Sequence, residues 1–179
     1  MDMDAVTCHH FGDCAFSSLE HKQVMRVPRE TVYAGLFAFL QKAPGLTYSS
    51  RRFVSFAQLQ GKTPALFQLE RDETPGPRPD PRMNPFWELR VTVVVFVASN
   101  SDPTFNPYVP LNAILDYIEA AIPPSGPTTT GLPYGTGQTR QNLGIAGVQA
   151  VYIDGPIEKD EGLAAPDSQA EVSIKIVVA

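Results

Sequence analysis

The chain has little cysteine and little histidine. Both cysteines, Cys8 and Cys14, fall within the first 14 of its 179 residues, and the three histidines, His9, His10 and His21, fall within the first 21. A framework of disulfide bonds therefore does not support the fold. Beyond residue 21 the chain has no histidine that could act as a general base or as a metal ligand.

The sequence also lacks a long hydrophobic run and an excess of positive charge. It contains no run of about 18 apolar residues, which argues against a transmembrane helix, and the acidic N-terminus has no hydrophobic segment of the signal-peptide type. The net charge of −5 argues against sequence-independent binding of nucleic acid, although DNA could slide past an acidic wall without sticking to it. We therefore expect a soluble protein made in a cytoplasm.

One group of residues near the N-terminus has the chemistry of metal ligands. Zinc binds cysteine and histidine, but structural zinc sites usually place two cysteines two to four residues apart. Here five residues separate Cys8 from Cys14, and no second ligand pair follows. The favoured interpretation is an arm, residues 1–25, that is poorly ordered and contains these side chains by chance.

Two other segments have the composition of ligand-binding loops without the spacing. Asp154, Asp160 and Glu161 do not follow the pattern of a calcium-binding loop. The glycines of residues 131–137 are not followed by the Lys-Ser/Thr pair of a phosphate-binding loop. The carboxylates of the chain lie at outward strand positions, on a helix surface or in loops, and not in a converging pair. The sequence thus predicts neither a cofactor nor an enzyme.

Proline is the residue present in excess. Twelve of its 17 copies gather in residues 75–85, 103–110 and 123–133, which are therefore predicted to be loops. Residues 26–179 are predicted to form a single domain.

Hydrophobic periodicity within that domain predicts two helices and five strands. The helices begin at Pro28 and Pro110, because proline suits the first turn of a helix. The strands are predicted at Thr47–Val54, Ala65–Arg71, Phe86–Ser99, Gly147–Glu158 and Ala170–Val178. The third strand is apolar on both sides at its end and should lie centrally. The order α-β-β-β-α-β-β describes an α+β two-layer sandwich, with a mainly antiparallel sheet and both helices on one face.

Two charged segments are candidate contact sites. Arg51 and Arg52 are adjacent on a predicted strand, so one of them should face the helix layer or its edge. Their guanidinium groups are either exposed at a rim or paired with an acidic surface of a neighbouring subunit, and the sequence leaves both interpretations open. The tip Glu158-Lys159-Asp160-Glu161 is either a solvated hairpin or a charged contact to a partner.

Six short motifs between Met25 and Val178 carry a resemblance to a known family. They are Thr31-Val32-Tyr33 to Leu40, Ala43-Pro44-Gly45, Ser50-Arg51-Arg52, Pro64-Ala65-Leu66-Phe67-Gln68, Tyr108-Val109-Pro110-Leu111 leading into Ile114-Leu115-Asp116, and Gly155-Pro156-Ile157-Glu158-Lys159-Asp160-Glu161-Gly162. Together they resemble the tail terminator, or tail completion, proteins of long-tailed bacteriophages. Residues 1–25 do not take part in the resemblance.

The resemblance implies a small α+β virion protein that forms a hexameric ring on a completed tail tube. Such a ring stops the addition of tube subunits and offers a surface to the connector of the head, while DNA passes through its lumen without specific binding. By this reading the contacts between subunits or with the tube are made by Arg51, Arg52, Glu158, Lys159, Asp160 and Glu161. The loop Thr128–Gln141 is expected to become ordered on assembly.

Three alternatives stay open at this stage. A neck or head-completion protein, which joins the connector to the tail, would have a similar size and charge. A small-molecule-binding or enzymatic α+β domain would be distinguished by a buried polar pocket. A metal-dependent regulator would use the N-terminal cysteines and histidines.

Overall fold

The computed structural model describes residues 27–59, 61–76, 86–124, 142–160 and 167–178. The elements in these ranges are α1 (Arg29–Leu40), β1 (Tyr48–Ser50), a 3₁₀ helix (Phe56–Leu59), β2 (Ala65–Pro75), β3 (Trp87–Val97), α2 (Tyr108–Ala121), β4 (Val148–Ile153), β5 (Glu158–Asp160) and β6 (Ser168–Val178). The predicted arm of residues 1–25, with its cysteines and histidines, lies outside the described residues, as does the loop of residues 128–141.

The strands form one sheet in the order β1-β2-β3-β6-β4, with β5 also paired to β6. Neighbouring strands are antiparallel except β1 and β2, which are parallel. β4 and β5 pair with successive parts of β6, so they share one edge of the sheet. The predicted α+β class and the inner position of β3 are confirmed, while the strand count is six rather than five.

Both helices pack on the same face of the sheet and bury the main core there. Alternate residues of β3, from Leu89 to Val97, face the helices and are at most 1% exposed. On α1 the same core takes Leu36, which is fully buried. Gly35 lets α1 pack closely against Ile145, since a Cβ at this position would lie 2.8 Å from Cγ1 of Ile145. Burial of each large aliphatic side chain stabilises the fold by about 1.5–3 kcal/mol.

The face of the sheet that points away from the helices, which we call the outer face, has a second and smaller core at one corner. Phe67 of β2 and Phe96 of β3 are buried there. The ring of Phe56 stacks on that of Phe96 with centroids 3.8 Å apart, and the rings of Phe53 and Phe67 are 5.2 Å apart. We call these four rings the aromatic corner. It accounts for the predicted burial of β3 on both sides at its end.

Two predicted boundaries in the first half of the chain are wrong. The strand predicted at Thr47–Val54 ends at Ser50, because the following chain leaves the ladder to place Phe53 and Phe56 over the outer face. The strand predicted to end at Arg71 continues to Pro75. A register shift near the middle of β2 allows its pairing with β3 to continue.

Three boundaries in the second half also differ from the prediction. α2 begins at Tyr108, two residues before Pro110. Proline is tolerated at this position because the N–H groups of the first helical turn have no partner within the helix. The strand predicted at Gly147–Glu158 is divided into β4 and β5, since Gly155, at φ +103°, and the proline after it interrupt the ladder. β6 begins at Ser168, two residues before its predicted start.

Candidate functional site

β1 and β5 are both three-residue strands, and they lie at opposite edges of the sheet. The Cα register places them at the same level, along the row Tyr48, Ala65, Phe96, Gln169 and Asp160. Because neighbouring strands are about 4.8 Å apart, the four spacings of this row separate the two edges by roughly 19 Å. The predicted contact residues lie at these two edges.

Arg51 follows β1 directly and is engaged within its own chain. Its guanidinium forms ion pairs with Glu30 of α1 and Glu70 of β2, and its Nη2 donates to Oε2 of Glu30 at 2.9 Å. The hydrogen bonds to Glu30 and Glu70 raise the pKa of Arg51, and the bond from Arg51 lowers the pKa of Glu30. Arg51 therefore ties the first helix to the sheet, as expected if one of the two arginines faces the helix layer. Its contact with a neighbouring subunit stays a prediction.

Further polar contacts join α1 to β2 beside this arginine. The amide Nε2 of Gln68 donates to the backbone O of Tyr33 at 2.9 Å, and the hydroxyl of Tyr33 donates to Oε1 of Glu73 at 3.1 Å. Arg29 forms an ion pair with the same glutamate. Burial, reinforced by the charge of Glu73, raises the pKa of Tyr33. The role of Glu30, Glu70 and Glu73 in holding α1 on the sheet was not predicted from the sequence.

Arg52 has a different environment from its neighbour. It is exposed, and within the described ranges no carboxylate lies at ion-pair distance from it or from Lys62, which is exposed in the turn after the 3₁₀ helix. Phe53 and Phe56 lie between them in the chain and are 46% and 36% exposed. Residues 31–69 contain four lysines and arginines and no acidic residue. We call β1 with Arg52, Phe53 and Lys62 the basic edge.

The acidic residues of β5 lie on the opposite edge. Glu158 is directly opposite Glu171 of β6 in the register, and Asp160 is opposite Gln169. Like charges directly opposite each other across a strand pair are destabilising. The amide Nε2 of Gln169 donates to Oε1 of Glu171 at 3.2 Å. The side chain of Glu158 is exposed and has no hydrogen bond or ion pair among the described residues.

Lys159 joins this edge to the helix layer. Its Nζ donates to Oδ1 of Asn112 on α2 at 3.0 Å. One turn earlier on the same helix Val109 is 66% exposed, and Phe105, in the segment before the helix, is 36% exposed. We call β5 with Glu171 the acidic edge. The last residue of the predicted tip, Glu161, lies outside the described residues.

Four large hydrophobic side chains are exposed in the described part of the chain. Phe53 and Phe56 pack on the outer face, whereas Phe105 precedes α2 and Val109 lies in its first turn, in the helix layer. The charges of both edges were predicted from the sequence, but the exposure of these apolar residues was not. The signal in the sequence is weak, since Phe56 continues no strand or helix period. The basic edge thus combines positive charge with the exposed ring of Phe53, and the acidic edge has an excess of negative charge, so the two edges are electrostatically complementary.

A groove of about 350 Å³ lies in the middle of the outer face. On one side Nε of Arg71 donates to Oγ1 of Thr92 at 3.1 Å, and Arg90 lies 3.7 Å from Asp72. Asp154 lines the groove as well and forms an ion pair with Lys175 at 3.4 Å. Arginines and aspartates are balanced here, and the groove is open to solvent. It therefore differs from the buried polar pocket that would favour a small-ligand-binding domain.

A cluster of metal ligands and a membrane-spanning helix are both absent from the described ranges. These ranges contain no group of three or more histidine, cysteine, aspartate or glutamate side chains arranged to hold a metal ion. Nor do they contain a helix whose length and hydropathy would allow it to cross a membrane. The glycines of residues 131–137, considered above for phosphate binding, lie outside these ranges.

Four of the six short motifs quoted from the sequence are joined in pairs in the fold. The motif of α1 and the motif that opens β2 are joined by the hydrogen bond from Gln68 to Tyr33. The motif that opens α2 and the motif that contains β5 are joined by the hydrogen bond from Lys159 to Asn112. A scan against protein-family models and a search of curated proteins each found no match for this chain.

Proposed function

We propose that the protein is a tail terminator, a structural virion protein of a long-tailed phage. In this role it closes into a ring on the completed tail tube, stops the addition of tube subunits and presents a surface to the connector of the head. The observation that carries the proposal is the placement of two unlike edges at opposite ends of one row of the sheet. The charged groups of these edges are attached to strands roughly 19 Å apart, too far to meet within one chain, but they can meet between successive copies.

The equal level of the two edges is compatible with a closed ring whose strands run along the ring axis. A contact between different surfaces of identical subunits is heterologous, and it produces a ring when the rotation closes or a helical filament when each copy is also displaced along the axis. β1 and β5 lie at the same level along the strands. Joining them requires little displacement along the strand direction. The number of six copies comes from the family resemblance.

The remaining partners follow from the same role. The tube protein and the connector would bind the two rims of the ring, above and below the joints between subunits. The net charge of −5 suits a lumen through which DNA moves, because an acidic lining repels phosphate. The protein would be assembled in the host cytoplasm and would be found in the virion at the head-proximal end of the tail. The role requires neither a catalytic group nor a cofactor.

The test begins with the full chain alone. Mass photometry over a concentration series, followed by negative-stain microscopy, should show monomers at low concentration and rings at high concentration. Growing tail tubes from the tube protein of the same virus should then stop lengthening when the chain is added, with a ring at one end of each tube. A chain that stays monomeric and never binds tubes would contradict the proposal. Binding to the connector with no effect on tube growth would instead support the neck-protein alternative.

A further inference from the structure

We infer that the joint of the ring is formed by the basic edge of one copy and the acidic edge of the next. Arg52 and Lys62 would face Glu158 and Asp160 of the neighbouring copy, while the exposed ring of Phe53 would be covered at the joint. This inference rests on the proposed ring and adds to it the surfaces that meet and the direction in which they meet.

The charges support this pairing on both sides. Within the described ranges Arg52 and Lys62 have no carboxylate at ion-pair distance. On the other edge Glu158 lies opposite Glu171, so a subunit on its own places two carboxylates beside each other. A cation brought by a neighbouring copy would relieve that repulsion. Opposite potentials of this kind steer the encounter and set its register.

The exposed ring of Phe53 supports the same pairing. It is 46% exposed and is held in place by the ring of Phe67 on the outer face, so little side-chain freedom is lost when another copy covers it. Aromatic residues are enriched at the centres of protein interfaces, with charged residues around them.

The strand directions are compatible with a head-to-tail contact. β1 is parallel to β2, and the three pairings from β2 through β3 and β6 to β5 are all antiparallel, so β1 and β5 run in opposite directions. A second copy placed beside the first in the same orientation therefore brings its β1 antiparallel to β5, as most neighbours in this sheet are. A twofold contact between two basic edges, or between two acidic edges, would place like charges together instead.

Charge reversal on each edge tests the inference. One variant carries Arg52→Glu and Lys62→Glu, which makes both of its edges acidic. The other carries Glu158→Lys and Asp160→Lys, which makes both of its edges basic. Either variant alone should lose ring formation, with its association weakened by roughly tenfold or more. An equal mixture should restore rings, because each variant then has a partner of opposite charge on both sides and the two can alternate.

A matched control separates the joint from a general effect of charge. Asp116→Lys with Glu119→Lys changes the net charge by the same amount as the Glu158/Asp160 variant. Both residues are exposed on α2, one and two turns further along the helix than Asn112, the residue that Lys159 contacts. This control should form rings as the unmodified chain does. Circular dichroism and thermal unfolding of each variant establish that a loss of rings is not a loss of fold. Added salt should weaken the rings of the unmodified chain, because it screens exposed charges.

The outcomes distinguish a failure of the inferred joint from a failure of the proposed function. Rings formed by each reversed variant alone would overturn the inference and leave the proposed ring intact. Two folded variants that stay monomeric when mixed would also overturn the inference, provided that the unmodified chain forms rings. An unmodified chain that forms no ring at any concentration and none on tail tubes would contradict the proposed function itself.

Discussion

The helix-covered face of the sheet and its outer face are made by alternate residues of the same strands, yet they are built differently. On β3 the residues facing the helices, such as Leu89 and Val93, are fully buried in the main core. On the other side of the same strand Arg90 is exposed, and only the end, at Val94 and Phe96, is covered by the aromatic corner. Most apolar burial therefore lies on one face. Groups available for contact lie on the other face and at the edges.

The largest effect is expected from the helix-covered face. Leu36→Ala removes a fully buried side chain of α1 and leaves a cavity between helix and sheet. The free energy of unfolding should fall by about 2–5 kcal/mol in a denaturant titration. Phe53→Ala is the comparison on the outer face: its ring is 46% exposed, and its loss should cost clearly less. Equal losses from the two substitutions would contradict the division of roles between the faces.

The next largest difference in the free energy of unfolding is expected between substitutions of the two adjacent arginines. Arg51→Gln breaks the ion pairs with Glu30 and Glu70 and should lower the free energy of unfolding by about 1 kcal/mol. Arg52→Gln should change it by less than about 0.5 kcal/mol, as at most exposed positions. Ring formation should instead be weakened more by Arg52→Gln than by Arg51→Gln. If Arg52→Gln destabilised the monomer as much as Arg51→Gln, Arg52 would belong to the fold rather than to the joint.

A smaller effect of opposite sign is expected at the acidic edge. Glu158→Gln removes the repulsion from Glu171 and should raise the free energy of unfolding of the monomer by about 0.2–1 kcal/mol. The same substitution should weaken ring formation, which can be measured by mass photometry on the same samples. A monomer that becomes less stable would indicate that Glu158 has a stabilising partner within its own chain.

The smallest effect is a dependence of stability on pH. Arg51 lowers the pKa of Glu30 in the folded chain, so the ion pair stabilises the fold at pH values above the unfolded pKa of this glutamate. That contribution is lost as the pH falls through the lower, folded pKa. Thermal unfolding of the Arg51→Gln variant should therefore converge with that of the unmodified chain at acidic pH. A difference that persists unchanged under acid conditions would assign the loss to packing of the arginine stem.

The sequence alone was sufficient to predict the elements in which one face is buried and the other is not. The alternation along β3 and β6 and the helical spacing of Leu111, Ile114 and Ile118 predicted those elements and their inward faces, which are confirmed. Local patterns suffice there, because a single core decides which residues face inward. The division of β4 from β5 was visible in the sequence as Gly155 and the proline after it, but the apolar residues before them favoured one continuous strand.

The features that escaped prediction depend on contacts between distant residues. The chain after β1 forms a 3₁₀ helix because Phe53 and Phe56 pack on rings contributed by later strands, and no local pattern specifies that. The partners of Arg51 are 19 and 21 residues away in the chain. The charges of both edges were readable from the sequence, whereas their placement in one row of the sheet requires the register.

Cysteine cross-linking tests the head-to-tail joint most directly. In a chain whose Cys8 and Cys14 are replaced by serine, Arg52→Cys and Glu158→Cys together, treated with a short bis-maleimide, should give a ladder of linked copies that ends at the closed ring. Each single cysteine variant alone should give no linked dimer. A dimer formed by the Arg52→Cys chain alone would place two basic edges in contact and contradict the account.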